Sequence, residues 1–351
     1  MEKRLEWIDT LKGISIILVV YYHAVLLPYS IPFKLNIFER TLFDSANYFF
    51  IYNLAPLRMP LFFMISGFLV NSSVCNKSWK AVSHSRIGTY IYVFCLWAII
   101  QNLLVGLMGG SDSSSDSLVS NSIYAISVSD FLSSAVKGVS SLWYLYALVI
   151  FFILTKLCKF SSITLIFLAF LLSIYSTLEP ISFPYNGMLY CYLFFVIGVF
   201  WGKAFFTGIE NFSLLKNMVI LSMGVGIIVL GRYYDLKFKL LESFFAIYIV
   251  TLITINLFKI GFPLQIVSYI GRNTLPIYII HRPLIEFFML FAVPWVLEFS
   301  ISSTNNHMLF SVLTPITITV FCIVFSIVFW KLTNFSFGRY LYGYKFSSNG
   351  S

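Results

Sequence analysis

Charge is scarce in this chain: Asp, Glu, Lys and Arg make up 11% of its 351 residues, against about a quarter in an ordinary soluble domain. Acidic side chains are the rarer sign, 14 against 23 basic, which leaves a formal charge of +9. Long polar stretches are missing too, so apolar runs almost tile the sequence and leave no room for a separate soluble domain. Cysteine is sparse. The five (Cys75, Cys95, Cys158, Cys191 and Cys322) are odd in number, and no two stand at metal-ligand spacing, which argues against a disulfide framework and a zinc site. The start of the chain lacks a positive n-region, since Glu2, Glu6 and Asp9 stand there, and no small-x-small cleavage site follows Tyr22. The first apolar segment is therefore expected to stay as a span. No internal repeat is visible, and Gly224-Val-Gly226 is no nucleotide fingerprint, because it sits inside an apolar run with no strand before it.

What is present is hydrophobicity: 59% of residues are apolar and the mean hydropathy is +0.88. That composition belongs to an all-α, polytopic membrane protein. The basic residues are scattered over short loops and form no patch or stripe, which excludes a nucleic-acid partner. Apolar runs predict ten transmembrane helices, near 8–28, 53–71, 87–108, 141–158, 161–178, 187–203, 214–231, 240–258, 273–292 and 309–330. With the N-terminus inside, fifteen cations fall on the cytoplasmic side, and only Lys34, Arg40, Lys137, Arg232, Lys237 and Lys239 fall outside. That bias obeys the positive-inside rule, and the even count places both termini in the cytoplasm. Residues 1–346 read as one integral-membrane domain and 347–351 as a short polar tail. The loop from Gly109 to Ser140, with its Ser/Asp run, reads as an external flap or a plain solvated connector.

Four groups of residues carry possible chemistry. The first is Asp9, Lys12 and His23. Eleven residues of α-helix return to within about 20° of the starting direction, so Lys12 and His23 share a face, about 16 Å apart along the axis. Asp9 lies three residues before Lys12, a spacing that lets the pair interact. Ionisable groups in a span are costly and mark cavities or function, and an imidazole that stays neutral there can act as a general base. A snorkelling lysine and a histidine that only binds a neighbouring helix would leave the same pattern. The second group, in the ninth run, is Tyr278, His281, Arg282 and Glu286, with Arg282 and Glu286 at i, i+4 and Pro283 freeing a backbone carbonyl. It reads equally as a buried ion pair between helices or as part of an active site. The third is Arg58 in the second run, which either snorkels or meets an anionic acceptor, followed by Ser66-Gly67, a small pair suited to close helix packing. The fourth is the inner stretch with Lys77, Lys80, His84 and Arg86, a basic site for phosphates or simply the product of positive-inside topology. No metal site is expected.

Taken together and in order, these stretches resemble the bacterial membrane-bound acyltransferase 3 family. The likeness rests on Trp7-Ile-Asp-Thr-Leu-Lys12-Gly-Ile with His23, on Met59-Pro-Leu-Phe-Phe-Met-Ile-Ser-Gly-Phe-Leu69, on Ser141-Leu-Trp143-Tyr-Leu, and on Thr274-Leu-Pro-Ile-Tyr-Ile-Ile-His281. It covers nearly the whole chain and is closest to a branch found in bacterial inner membranes. The resemblance implies a ten-helix bundle that takes an acyl group, commonly acetyl, from cytoplasmic acetyl-CoA and passes it to a hydroxyl of a cell-envelope carbohydrate. It implies His23 as the essential histidine, either general base or transient acyl acceptor, Lys12 as the basic residue before it, and Arg86 as a CoA-binding residue at the start of the third span. The chain departs from the family pattern in two places, with Lys12 where arginine is frequent and a lone Arg86 where paired arginines are common. Arg58, Trp143, His281, Arg282 and Glu286 are then expected to line the acceptor cavity. A rival reading is a transporter of a small anion or envelope precursor, and a third is a scaffold without chemistry. The one-sided Lys12–His23 face and the absence of repeats favour the enzyme.

Overall fold

A backbone in lipid must satisfy its own hydrogen bonds, and a helix does so within a single segment. The computed structural model describes residues 6–30, 54–108, 125, 127–159, 161–179, 181–211, 213–234, 238–288, 291 and 307–343, and among these helix is the only regular secondary structure. In chain order the helices are α1 (Glu6–Ser30), α2 (Ala55–Cys75), α3 (Gly88–Leu107), α4 (Val128–Lys137), α5 (Trp143–Leu157) and α6 (Ser162–Leu178). There follow α7 (Tyr185–Asn211), α8 (Leu214–Tyr233), α9 (Lys239–Lys259), α10 (Gln265–Arg272), α11 (Thr274–Phe287) and α12 (His307–Thr333). A short turn, Trp79–Val82, and a single π-helical turn, Ser83–Ile87, lead into α3.

Each of the ten expected apolar runs is occupied by a helix. Among the described residues six helical stretches are long and apolar enough to cross a membrane: α1, α2, α3 with the turns before it, α7, α9 and α12. The apolar helices α5, α6 and α8 are shorter. Two helices were not anticipated, α4 and α10, both short and amphipathic. The supposed flap is therefore helical over Val128–Lys137. Ser127 caps that helix by accepting from the Asp130 N–H at 3.1 Å, and Gly138, at φ +68°, ends it in the left-handed conformation. The Ser/Asp run of that loop, Lys34, Arg40, Lys237 and the polar tail lie outside the described residues.

The chain divides into two compact units, each assembled from three segments, with two of the divisions falling inside α1 and α5. The first unit takes the described residues of Met1–Ile16, Tyr52–Ser78 and Phe151–Arg272. Its centre is the crossing of α2 and α7, where Gly67 and Gly198 let the backbones touch: a Cβ on Gly67 would run into the Phe195 carbonyl oxygen, and one on Gly198 into that of Met64. Phe151 packs beside this crossing, with its ring 5.0 Å from those of Phe63 and Tyr192. The second unit takes the described residues of Ile17–Ile51, Trp79–Ile150 and Asn273–Ser351. In it α11 packs on α12, and a 3₁₀ turn, Ser336–Leu341, is held to α3 by the Trp97 indole N–H, which donates to the Leu341 carbonyl at 2.7 Å.

Candidate functional site

Two of the candidates expected on the cytoplasmic side, Asp9 and Lys12, sit on the first half of α1. Asp9 is buried, and the Lys12 ammonium lies 3.6 Å from its carboxylate, so the i, i+3 pair forms as the spacing suggested. This stretch is pressed against α10. A Cβ on Gly271 would strike the Asp9 carbonyl oxygen, and one on Gly13 the Val267 carbonyl oxygen. Small residues on both sides thus bring a short amphipathic helix down onto the turn that carries Lys12. Helix α1 runs unbroken from Glu6 to Ser30, so Lys12 and His23 occupy one continuous helix.

His23, half-buried, points its Nδ1 at the Val19 carbonyl, 2.8 Å away, one turn back. A carbonyl can only accept, so Nδ1 carries the hydrogen and Nε2 of the neutral ring holds the lone pair. His281 repeats the device. Its Nδ1 lies 2.7 Å from the Tyr278 carbonyl and 3.1 Å from that of Ile277. The two imidazoles meet edge to face with centroids 5.3 Å apart, joining α1 to α11. His281 is 1% exposed, and its Nε2 has no hydrogen-bond partner among the described residues. Both rings thus face carbonyls of their own helices through Nδ1, which makes Nε2 the lone-pair nitrogen of the neutral form.

A polar network fixes α11 behind this pair. Pro283 has no N–H to give the Ile279 carbonyl one turn earlier, and Gln101 on α3 fills the gap, donating Nε2–H at 3.0 Å. The Gln101 amide oxygen accepts from the Ser141 hydroxyl at 2.8 Å. The Tyr278 hydroxyl donates to the Ser141 carbonyl at 2.7 Å and accepts from the Tyr144 N–H at 3.2 Å. The Ser-Leu-Trp-Tyr-Leu stretch and the Tyr-Ile-Ile-His stretch, far apart in sequence, are thereby one assembly. Trp143 is half-buried at the first position of α5 within it. Arg282 and Glu286, both buried, form an ion pair at 2.5 Å. The pair lies along a single helix, so it does not itself tie two helices together.

The remaining candidates sit on other elements. Arg86 is half-buried in the π-helical turn ahead of α3, a distortion often found at functional sites. Lys77, Lys80 and His84 are exposed. Arg58 is half-buried in the first turn of α2 and belongs to the first unit, whereas His23, Arg86, Trp143, His281, Arg282 and Glu286 belong to the second. Among the described residues no group of three or more His, Cys, Asp or Glu side chains is placed to hold a metal ion. An apolar cavity of about 310 Å³ between α8 and α9, with Glu242 and Tyr248 in its wall, involves none of the candidate residues.

Sequence reasoning passed over three residues with structural consequences: Gln101, Ser141 and Lys156. Gln101 had a signal, since an amide inside an apolar run and a proline in another run are the two halves of one hydrogen bond. Lys156, 3% exposed, donates to the carbonyls of Ser73, Val74 and Lys77 at 3.1, 3.0 and 2.7 Å and so closes the C-terminal end of α2.

Comparison with known proteins follows the same lines. The model of a family described as an acyltransferase domain matches residues 5–331. Inner membrane protein YcfT of Escherichia coli (strain K12) is 28% identical over 298 residues, which is 83% of this chain and 82% of that protein. No solved structure matches.

Proposed function

The chain belongs to this acyltransferase family, and we propose that it takes an acetyl group from acetyl-CoA and transfers it to a hydroxyl of a cell-envelope carbohydrate. In this reading it resides in the bacterial inner membrane, with ten helices across the bilayer and both termini in the cytoplasm. The observation that carries the chemistry is His23. Its Nδ1 faces a carbonyl of its own helix, so in the neutral ring the lone pair is on Nε2, on the same helix that carries Lys12.

The reaction then balances simply. Nε2 of His23 takes the proton of the acceptor hydroxyl while the oxygen attacks the thioester carbonyl. The C–S bond breaks, the acetyl ester forms, and the CoA sulfur leaves with the proton returned from the imidazolium. Lys12, steadied by Asp9, and Arg86 pair with the phosphates of CoA. His281, Trp143, Arg58 and the Arg282–Glu286 pair serve the acceptor.

The test is transfer of label from radioactive acetyl-CoA in membranes that contain the protein. Replacing His23 by Ala is expected to lower the rate by about 10²–10⁴-fold, the usual worth of a general base, while the protein stays folded. Undiminished transfer would overturn the assignment. Flux of a small anion into proteoliposomes, with no acyl transfer, would instead select the transporter.

A further inference from the structure

Helix α4 is the part of the molecule that neither the sequence nor the proposed chemistry accounts for. At about 100° per residue, Val128, Phe131, Leu132, Ala135 and Val136 fall on one arc, and Ser129, Asp130, Ser133, Ser134 and Lys137 fall on the other. The protein covers only part of the apolar arc. Phe131 and Ala135 are half-buried, whereas Val128, Leu132 and Val136 are 76%, 56% and 74% exposed. The helix thus has three faces: one packed on protein, one polar, and one apolar and bare.

Its position is pinned. The Tyr146 hydroxyl, on the first turn of α5, donates to the Val136 carbonyl at 2.9 Å, and Gly138 lies so close that a Cβ would strike the Tyr146 ring. Helix α5 is apolar along its length and opens on the half-buried Trp143, a residue type favoured at the edge of a bilayer. The bare stripe is therefore tied to the first turn of an apolar helix.

We propose that α4 lies in the plane of the membrane interface, with Val128, Leu132 and Val136 sunk into the shallow part of the hydrocarbon and its serines toward water. The lipid surface it fits is zwitterionic, because Asp130 and Lys137 cancel and no basic cluster lines its polar face. The seat has a consequence for the histidine pair. Ser140–Trp143 follows α4 directly, and the Ser141 carbonyl holds the Tyr278 hydroxyl, so lipid under α4 anchors one wall of that assembly.

The experiment places single cysteines, Val128→Cys, Leu132→Cys or Val136→Cys, in a chain whose five native cysteines are replaced, with Ser129→Cys and Ser133→Cys as controls. Each is labelled with an environment-sensitive fluorophore and held one copy per phosphatidylcholine nanodisc, which removes any second copy as the cover. Labels at 128, 132 and 136 are expected to be quenched by doxyl groups near the top of the acyl chains. They are also expected to be several-fold less open to iodide than those at 129 and 133. Equal iodide access at all five positions, or shielding without doxyl quenching, would overturn the proposal. A second measurement keeps the native cysteines: a phosphatidylcholine with a photoreactive group high in its acyl chain should crosslink the unaltered chain at Val128, Leu132 or Val136. Adducts confined to other helices would count equally against it.

Discussion

Pro283 and Gln101 show how one missing hydrogen shapes a site. The proline leaves the Ile279 carbonyl without its helical donor, and the Gln101 side chain replaces it at 3.0 Å from another helix. Replacing Gln101 by Leu leaves that carbonyl and the Ser141 hydroxyl unpaired in a buried setting, at a cost of about 1–3 kcal/mol. Pro283→Ala restores the N–H, so it should recover part of the loss in the Gln101→Leu background and much less in the parent. Thermal unfolding of the four proteins in detergent measures this coupling. Equal effects of Pro283→Ala in both backgrounds would show that Gln101 is not the replacement donor. Lys156 gives a second case. Three carbonyls at the end of α2 accept from its ammonium, so Lys156→Met should lower stability by about 1.5–3 kcal/mol, the usual worth of hydrogen bonds to a charged group. Lys156→Arg should recover some of it. An unfolding temperature unchanged in Lys156→Met would remove the capping role.

At the scale of elements, glycine placement separates tight crossings from ordinary contacts. A Cβ at Gly198 meets the backbone of α2, which cannot swing aside, whereas one at Gly226 on α8 meets nothing within 4 Å. Gly198→Ala should therefore destabilise by about 1–3 kcal/mol, and Gly226→Ala should be neutral or gain up to about 1 kcal/mol from helix propensity. Unfolding temperatures that move the same way for both would refute the distinction. The sequence showed half of this crossing: Ser66-Gly67 stood out as a small pair, but nothing identified Gly198 as its partner, because pairing of faces is tertiary. For the same reason α4 and α10 were hidden. A helix of eight or ten residues with polar positions every few steps looks like a connector until its neighbours, Tyr146 for α4 and Gly13 for α10, supply the surface it packs on. Long apolar runs, by contrast, were legible because a span announces itself by length and composition alone.

Across the whole molecule the candidate site was legible residue by residue and opaque as an arrangement. His23 and Lys12 stood out because ionisable groups are expensive in a span, yet the meeting of His23 with His281, and of Ser141 with Tyr278, depends on packing that no spacing encodes. Topology is where sequence and structure can be set against each other directly. Among the described residues six helices are long enough to cross, while α5, α6 and α8 are shorter. If all ten apolar helices cross, the turn after α9 that carries Phe262 lies in the cytoplasm. If only the six long ones cross, the same turn lies outside. The cations favour the first arrangement, since Lys259 and Arg272 bracket this turn and Lys156 and Lys159 end α5. Phe262 is 51% exposed, so Phe262→Cys in a chain cleared of its native cysteines offers a reactive thiol there. It should resist a membrane-impermeant maleimide in intact cells and react once the membrane is opened, while Ser114→Cys, in the loop expected outside, reacts at once. Labelling of Phe262→Cys in intact cells would overturn ten crossings from a cytoplasmic N-terminus. It would put α10, and the Lys12 turn it rests on, on the face of the membrane away from the cytoplasm and so from the proposed donor.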